Sequence, residues 1–187
     1  MKRAYADLIN DHSGNCIGSQ CKHTMLDYDL IIPNLFVGAH PRGGAEIEYL
    51  RRGPQITAVL NLQTDDDLRA WKCDWPTLIE HYLRCGIQVR RVPIRDFDVV
   101  DLGRQLPEGV HVLSQLLQAG HTVYVHCTAG VWRAPTLVIA YLHWCQGWPL
   151  DEAFAHVKRQ RPCSPSLEAL RTATREFLAD RQVQRRV

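Results

Sequence analysis

The spacing of apolar residues changes near residue 28. The first 27 residues show no sustained apolar period and are rich in Gly, Ser and Asn, so we interpret them as a flexible arm. From Tyr28 onward, short apolar runs alternate with segments of helical spacing. The runs predict strands at 30–32, 35–37, 56–62, 88–94 and 122–125, and the other segments predict helices at 45–52, 75–83, 107–117, 135–144, 150–159 and 165–179.

Strands that alternate with helices are typical of an α/β fold with a central, mostly parallel sheet flanked by helices. No repeat or linker interrupts this pattern, so we expect one domain over residues 28–180, followed by a basic tail over 181–187. Ser164 is predicted to cap the last helix, with Pro165 at its first position, where a missing N–H costs nothing.

The composition excludes several classes of protein. Of the 187 residues, 45% are hydrophobic and 22% are charged, which excludes wholesale disorder. The 22 basic and 20 acidic residues nearly balance, which argues against binding to nucleic acid or an anionic membrane by charge. The apolar stretches are far shorter than the roughly 20 residues of a membrane span. We therefore expect binding to neither nucleic acid nor membrane, and we also expect a monomer.

The cysteines favour a reduced protein without a structural metal. There are seven, an odd number, and the chain does not start with a secretory signal pattern, so a disulfide framework is not expected. Four potential zinc ligands crowd into the N-terminal arm, but their spacing fits no standard finger and a solvated segment is the simpler interpretation. These residues are His12, Cys16, Cys21 and His23.

The stretch 125–135 carries the clearest chemistry. Cys127 leaves a buried strand, five residues follow it, and Arg133 opens a helix whose start is marked by Pro135. Inward backbone N–H groups and a helix N-terminus form a site for a tetrahedral oxyanion, and this field favours a cysteine thiolate. A guanidinium can hold two phosphate oxygens at once. The pattern predicts that the Cys127 thiolate attacks the phosphorus of a bound phosphate ester.

This reaction also needs an acid that protonates the leaving oxygen. Asp96, Asp98 and Asp101 follow the strand predicted at 88–94, whose end lies at the same sheet edge as Cys127. Spacing does not choose among the three, and at least two of them must be solvated carboxylates or helix caps.

Several motifs resemble those of a known family. His126 to Arg133 is similar to the His-Cys-x5-Arg signature of the protein tyrosine phosphatase superfamily, dual-specificity branch. The chain from about Tyr28 to Ala179 is similar to the plant and algal glucan phosphatases of the starch-excess and like-starch-excess type. The motifs that agree with them in order are Arg95-Asp96-Phe97-Asp98, His126 to Gly130, Arg133-Ala134-Pro135, Arg161-Pro162-Cys163 and Ala169 to Thr174.

The resemblance implies the dual-specificity phosphatase fold and removal of phosphate from phosphorylated glucan such as starch, without metal or cofactor. It implies Cys127 as nucleophile, Arg133 as phosphate clamp and Asp96 as general acid. It also implies a plastid location, with the cytosol as the alternative. The phosphate-binding residues would be Thr128, Ala129, Gly130, Val131, Trp132 and Arg133, and the rings that stack on glucosyl units would be Tyr28, Trp71 and Phe97.

The chain departs from the family pattern at several positions. Trp132 stands where the family usually has Gly, and a bulky side chain there could reshape the pocket rim. Ala70 replaces an aromatic neighbour of Trp71, and Asn61 replaces a Cys that some relatives are thought to pair with the nucleophile. The chain resembles the single-domain members of the family or an excised catalytic domain.

Three alternatives stay open. One is a dual-specificity phosphatase that acts on phosphoproteins with the same chemistry and a different rim. Another is a catalytically weak glucan-binding scaffold, in which Trp132 obstructs the phosphate-binding loop. The third concerns the aromatic residues alone, because Trp71 and Phe97 could be ordinary core residues rather than sugar contacts.

Overall fold

Five strands and seven helices make up residues 26–184, the part of the chain that the computed structural model describes. The four potential zinc ligands of the N-terminal arm and residues 185–187 lie outside this part. The elements in chain order are β1 (Tyr28–Ile32), β2 (Leu35–Gly38), α1 (Gly44–Arg52), β3 (Ala58–Asn61), α2 (Asp65–Ala70), α3 (Trp75–Arg84), β4 (Gln88–Arg91), α4 (Val99–Gln118), β5 (Val123–His126), α5 (Arg133–Trp144), α6 (Leu150–Gln160) and α7 (Leu167–Gln184).

The sheet has the strand order β1-β2-β5-β3-β4. Strands β2, β5, β3 and β4 are parallel, and only β1 runs antiparallel, as a hairpin with β2. The mostly parallel sheet predicted from the sequence is therefore confirmed. His126, the last residue of β5, pairs with Gly38 of β2 and Asn61 of β3, so three strands end together in the middle of one sheet edge. Loops that follow these strands converge there.

Apolar clusters cover both faces of the sheet. The larger cluster joins one face to helices α4 to α7, and the smaller one joins the opposite face to α1 and α3. Side chains alternate between the faces along β5, where Val123 and Val125 enter the larger cluster and Tyr124 enters the smaller. This burial on both sides explains the continuous apolar runs of the strands. Among residues 26–184, no helix is long and apolar enough to cross a membrane.

The start of α4 differs from the prediction. The sequence suggested a start at Pro107, but the helix begins at Val99 and Pro107 lies inside it. The side chain of Asp98 accepts a hydrogen bond from the Asp101 backbone N–H at 2.8 Å and so caps the first turn. Proline is common in the first turn of a helix, so the sequence analysis placed the start of the helix at Pro107 and overlooked the cap at Asp98.

The ends of α7 also differ from the prediction. Ser166, not Ser164, caps the helix, because its Oγ accepts a hydrogen bond from the Ala169 N–H at 3.2 Å. Ser164 instead donates its backbone N–H to the Val131 carbonyl at 2.9 Å, and Pro165 lies before the cap. The helix continues to Gln184, into the range interpreted as a tail.

We expect Ser166→Ala to lower the free energy of unfolding by about 1 kcal/mol, because it removes the side-chain cap. Ser164→Ala is the matched control, and it should have almost no effect because the backbone N–H that Ser164 uses is kept. Urea denaturation measures both. A larger loss in Ser164→Ala than in Ser166→Ala would contradict this assignment of the cap.

Candidate active site

The phosphate loop, residues 127–133, connects the central strand β5 to α5. Cys127 begins it and is almost fully buried at the end of the strand. Gly130 has a φ of +68°, and a Cβ there would lie 2.3 Å from the backbone carbonyl of Gly38. The loop therefore rests directly on the last residue of β2, and only glycine combines this contact with a positive φ.

Arg161, one residue after α6, holds the phosphate loop from outside and is only 1% exposed. It donates hydrogen bonds to the carbonyls of Gly130 (Nε, 2.7 Å) and Ala129 (Nη2, 3.1 Å). The carboxylates of Asp29 and Asp27 lie 3.1 and 2.8 Å from its guanidinium. Because C=O and N–H of a trans peptide point in opposite directions, these bonds turn the following N–H groups away from Arg161. The loop thereby keeps N–H donors available for an oxyanion.

Arg133 lies at the other end of the loop and is completely buried. Its Nη1 donates to Asp67 Oδ2 at 2.7 Å and to the Ile94 carbonyl at 2.8 Å, and its Nη2 donates to Thr128 Oγ1 at 3.1 Å. Nη2 also lies 3.0 Å from Asp96 Oδ2. The Nε atom has no hydrogen-bond partner among residues 26–184, which leaves a donor for a phosphate oxygen.

The neighbouring anions keep Arg133 charged. Burial alone would lower the pKa of Arg133, but the hydrogen bond to Asp67 and the negative charges of Cys127 and Asp96 outweigh burial and raise the pKa. A charged, planar guanidinium next to the thiol is what the clamp role predicted for Arg133 requires.

Asp67 is a site residue that the sequence analysis missed. It forms a capping box at the start of α2: its N–H donates to Thr64 Oγ1 at 3.1 Å, and its Oδ2 accepts the Thr64 N–H at 2.8 Å. Burial alone would raise the pKa of Asp67, but the hydrogen bonds from Arg133 and Thr64 outweigh it and lower the pKa. The Thr-x-x-Asp spacing is a recognisable start of a helix and could have revealed both α2 and this carboxylate.

The structure separates the roles of the three candidate acids. Asp98 caps α4, and Asp101 accepts the Arg95 N–H at 2.7 Å, so both hold the backbone at the start of the helix. Asp96 faces Arg133. Burial raises the pKa of Asp96, and the charge of Asp67 adds to this, against the lowering effect of Arg133. A raised pKa favours the protonated form that a general acid needs, so the geometry supports Asp96.

Two histidines hold backbone carbonyls at the start of the loop. Burial lowers the pKa of His126 to about 3, so its ring is neutral, and its Nδ1–H donates to the Cys127 carbonyl at 3.1 Å. His40 is also buried and donates from Nδ1 to the Thr128 carbonyl at 2.9 Å. These bonds restrict the two peptide units on either side of Thr128.

Exposed aromatic rings lie beside both ends of the phosphate loop. Trp71 is 60% exposed and packs edge-on against His40, with ring centroids 5.6 Å apart. Phe97 is 80% exposed and packs against Trp132, also at 5.6 Å. The alternative that Trp71 and Phe97 are core residues is therefore wrong. Trp71 directly follows α2, and its backbone N–H donates to the Asp67 carbonyl at 3.0 Å, so it lies one turn beyond Asp67.

Tyr28 has different surroundings. Its ring is half-buried on β1 and contacts Phe36, Tyr49 and Tyr124, with centroid distances of 5.9, 6.2 and 6.1 Å. Tyr28, Phe36 and Tyr124 belong to the smaller apolar cluster. The role of Tyr28 as a sugar contact stays a prediction.

Residues 42–173 match the family Dual specificity phosphatase, catalytic domain, and the chain belongs to that family. Among curated proteins it is similar to the phosphoglucan phosphatase DSP4, amyloplastic, of Castanea sativa, with 35% identity over 82% of this chain and 41% of that protein. It is also similar to the phosphoglucan phosphatase LSF1, chloroplastic, of Arabidopsis thaliana, with 32% identity over 81% of this chain and 26% of that protein. The third relative is laforin of Mus musculus, with 33% identity over 75% of this chain and 46% of that protein. The chain spans less than half the length of these relatives.

Solved structures confirm the fold. The chain superposes on PTPMT1 with a TM-score of 0.66 and 22% identity, covering 84% of this chain and 99% of that one. It superposes equally well on the human tyrosine phosphatase-like serine/threonine/tyrosine-interacting protein, with a TM-score of 0.66, 23% identity and coverage of 83% and 97%. The dual-specificity phosphatase fold that the sequence resemblance implied is therefore confirmed.

We expect Arg161→Lys to impair both folding and the site. A single ammonium group cannot reach two carbonyls and two carboxylates at once, so the free energy of unfolding should fall by roughly 3 kcal/mol. The displaced loop should lower kcat/KM for 4-nitrophenyl phosphate by roughly tenfold or more. Arg159→Lys, on the exposed side of α6, is the matched control. A wild-type kcat/KM in folded Arg161→Lys would show that the loop does not depend on this side chain.

We expect Asp96→Asn to lower kcat/KM for an alkyl phosphate by about two orders of magnitude or more, because a poor leaving group needs the acid. In the wild type, kcat/KM should fall as the pH rises through the pKa of Asp96, since only the protonated form donates. The variant should lack this alkaline decline. Asp98→Ala and Asp101→Ala are the comparisons, and a larger loss in either of them would assign the acid elsewhere.

Proposed function

We propose that this chain is a cysteine-dependent phosphoric monoester hydrolase whose substrate is phosphorylated glucan, such as starch. The observation that carries the proposal is the combination of a phosphate loop with exposed aromatic rings next to it. Trp71 contacts His40, which holds the Thr128 carbonyl, and Phe97 directly follows the candidate acid. The plastid named for the two plant relatives supports a plastid location for this chain as well.

In the first step, the Cys127 thiolate attacks phosphorus. The S–P bond forms while the bond from phosphorus to the leaving oxygen breaks, and Asp96 gives its proton to that oxygen. Arg133 and the N–H groups of the loop hold the three remaining phosphate oxygens, on which negative charge is concentrated. The Arg133–Asp67 bond supports this step because it fixes the orientation of the guanidinium.

In the second step, water attacks phosphorus and the S–P bond breaks. Asp96, now ionised, accepts a proton from the water, inorganic phosphate leaves, and the Cys127 thiolate is regenerated. The same carboxyl group thus acts as acid and then as base: burial favours its protonated form, and Arg133, at 3.0 Å, favours its ionised form.

Selection of a glucan depends on the rim of the site. A phosphate pocket alone does not distinguish a phosphoserine from a phosphoglucosyl unit, because both present the same dianion to Cys127 and Arg133. A sugar ring has apolar C–H faces that stack on aromatic side chains. An aromatic ring that is already exposed can bind a sugar without any rearrangement of the protein. Trp71 and Phe97 offer such faces to solvent.

We expect Trp71→Ala to lower kcat/KM for phosphorylated starch by roughly fivefold or more, because a stacked ring contributes on the order of 1 kcal/mol. The loss on 4-nitrophenyl phosphate should be much smaller, because this substrate carries no sugar ring that could stack on Trp71. Release of inorganic phosphate measures both, and Trp71→Phe should recover part of the starch activity.

Two controls complete this experiment. Leu83→Ala removes another exposed apolar side chain, on α3, and should affect neither substrate. Cys127→Ser should release no phosphate from either one, which excludes a contaminating enzyme. Equal losses on starch and 4-nitrophenyl phosphate in Trp71→Ala would contradict the glucan proposal. Faster hydrolysis of phosphopeptides than of starch would assign the chain to the protein phosphatases of the family instead.

A further inference from the structure

Trp132 connects the two loops that carry the chemistry. It precedes Arg133 in the phosphate loop, and its half-buried side chain packs against the larger apolar cluster. Its ring lies 5.6 Å from that of Phe97, with the ring planes at 31°. Phe97 belongs to the acid loop, residues 95–98, and directly follows Asp96. The contact between the rings thus joins the two loops one residue away from the clamp and one residue away from the acid.

The backbone of Phe97 needs support from its surroundings. Its φ of 56° lies in the left-handed region, which a residue with a Cβ seldom adopts. Its side chain is 80% exposed, so burial contributes little to holding this conformation. Within residues 26–184, the ring contact with Trp132 is a side-chain interaction that opposes relaxation of the backbone at Phe97.

The conformation of Phe97 also bears directly on the acid. Burial is the largest effect on Asp96 and raises its pKa, whereas the adjacent Phe97 backbone N–H lowers it, so the orientation of Phe97 affects this carboxyl group. On the other side of the loop, the Asp98 cap and the bond from the Arg95 N–H to Asp101 fasten the backbone to the start of α4. Relaxation at Phe97 would turn this N–H and move the Asp96 carboxyl relative to Arg133.

We propose that Trp132 is a positioning residue for the general acid: its ring holds Phe97, and through Phe97 it keeps Asp96 over the phosphate loop. The proposal rests on the role of Asp96 given above. In this proposal the bulky side chain of Trp132 assists proton donation. In the scaffold alternative the same side chain obstructs the site.

The leaving group of the substrate reveals whether the acid is in place. 4-Nitrophenyl phosphate has a good leaving group that needs little protonation, whereas phenyl phosphate has a poorer one of almost the same size. Dividing kcat/KM for phenyl phosphate by that for 4-nitrophenyl phosphate gives a ratio that is independent of the amount of active enzyme. The ratio stays interpretable even if a variant is partly unfolded.

We expect Trp132→Ala to lower this ratio by roughly fivefold, in the same direction as Asp96→Asn but less. Trp132→Phe keeps an aromatic ring next to Phe97 and should stay within about twofold of the wild-type ratio. Phe97→Ala should match Trp132→Ala. The double variant should lower the ratio no further than either single change, because the two residues act as one unit.

Three results would overturn the proposal. A normal ratio in Trp132→Ala, with equal losses on both substrates, would limit the ring to supporting the fold. A double variant with additive losses would show that Trp132 does not act through Phe97. A normal ratio in Asp96→Asn would remove the acid role itself, and so separate a failure of the proposed mechanism from a failure of the role given to Trp132.

Discussion

The site depends on neutralising one buried charge. Arg133 is completely buried, and an isolated guanidinium in such a place would cost far more free energy than a single contact returns. Its partners come from different parts of the fold: Asp67 from the start of α2, the Ile94 carbonyl from the segment after β4, and Asp96 from the acid loop. The ends of several elements must therefore converge on this one side chain, and in doing so they enclose the thiol of Cys127.

Asp67 and Asp96 both contact the Arg133 guanidinium, but their pKa values shift in opposite directions. Burial alone would raise the pKa of Asp67, but hydrogen bonds from Arg133 and then from Thr64 lower it, whereas burial raises the pKa of Asp96. One group thus remains an anion that orients the guanidinium, while the other can carry a proton to a leaving oxygen. Pairs of acids whose surroundings separate their pKa values in this way are characteristic of catalytic sites. Hydrogen bonds lower the pKa of one carboxyl group, and burial raises the pKa of the other.

The sequence predicted the parts of this site that depend on local order along the chain. Cys127 at the end of a buried strand and Arg133 at the start of a helix follow from apolar runs and a proline, and the family resemblance added Asp96. The sequence analysis missed Asp67 and the role of Arg161, because both act through contacts with residues far away in the chain: 66 positions separate Asp67 from Arg133, and 132 separate Asp29 from Arg161. The predicted start of α4 at Pro107 was wrong for a local reason: the proline was interpreted as the first turn, and the cap at Asp98 was overlooked.

The anchoring of the phosphate loop by Arg161 has a consequence for how the protein is made. Cys127 emerges from the ribosome well before Arg161, which must then pair with Asp29 and Asp27 near the beginning of the described chain. A chain that ends before Arg161 lacks the hydrogen bonds to the Ala129 and Gly130 carbonyls. The loop conformation on which the proposed chemistry depends therefore requires residues from almost the whole length of the described domain.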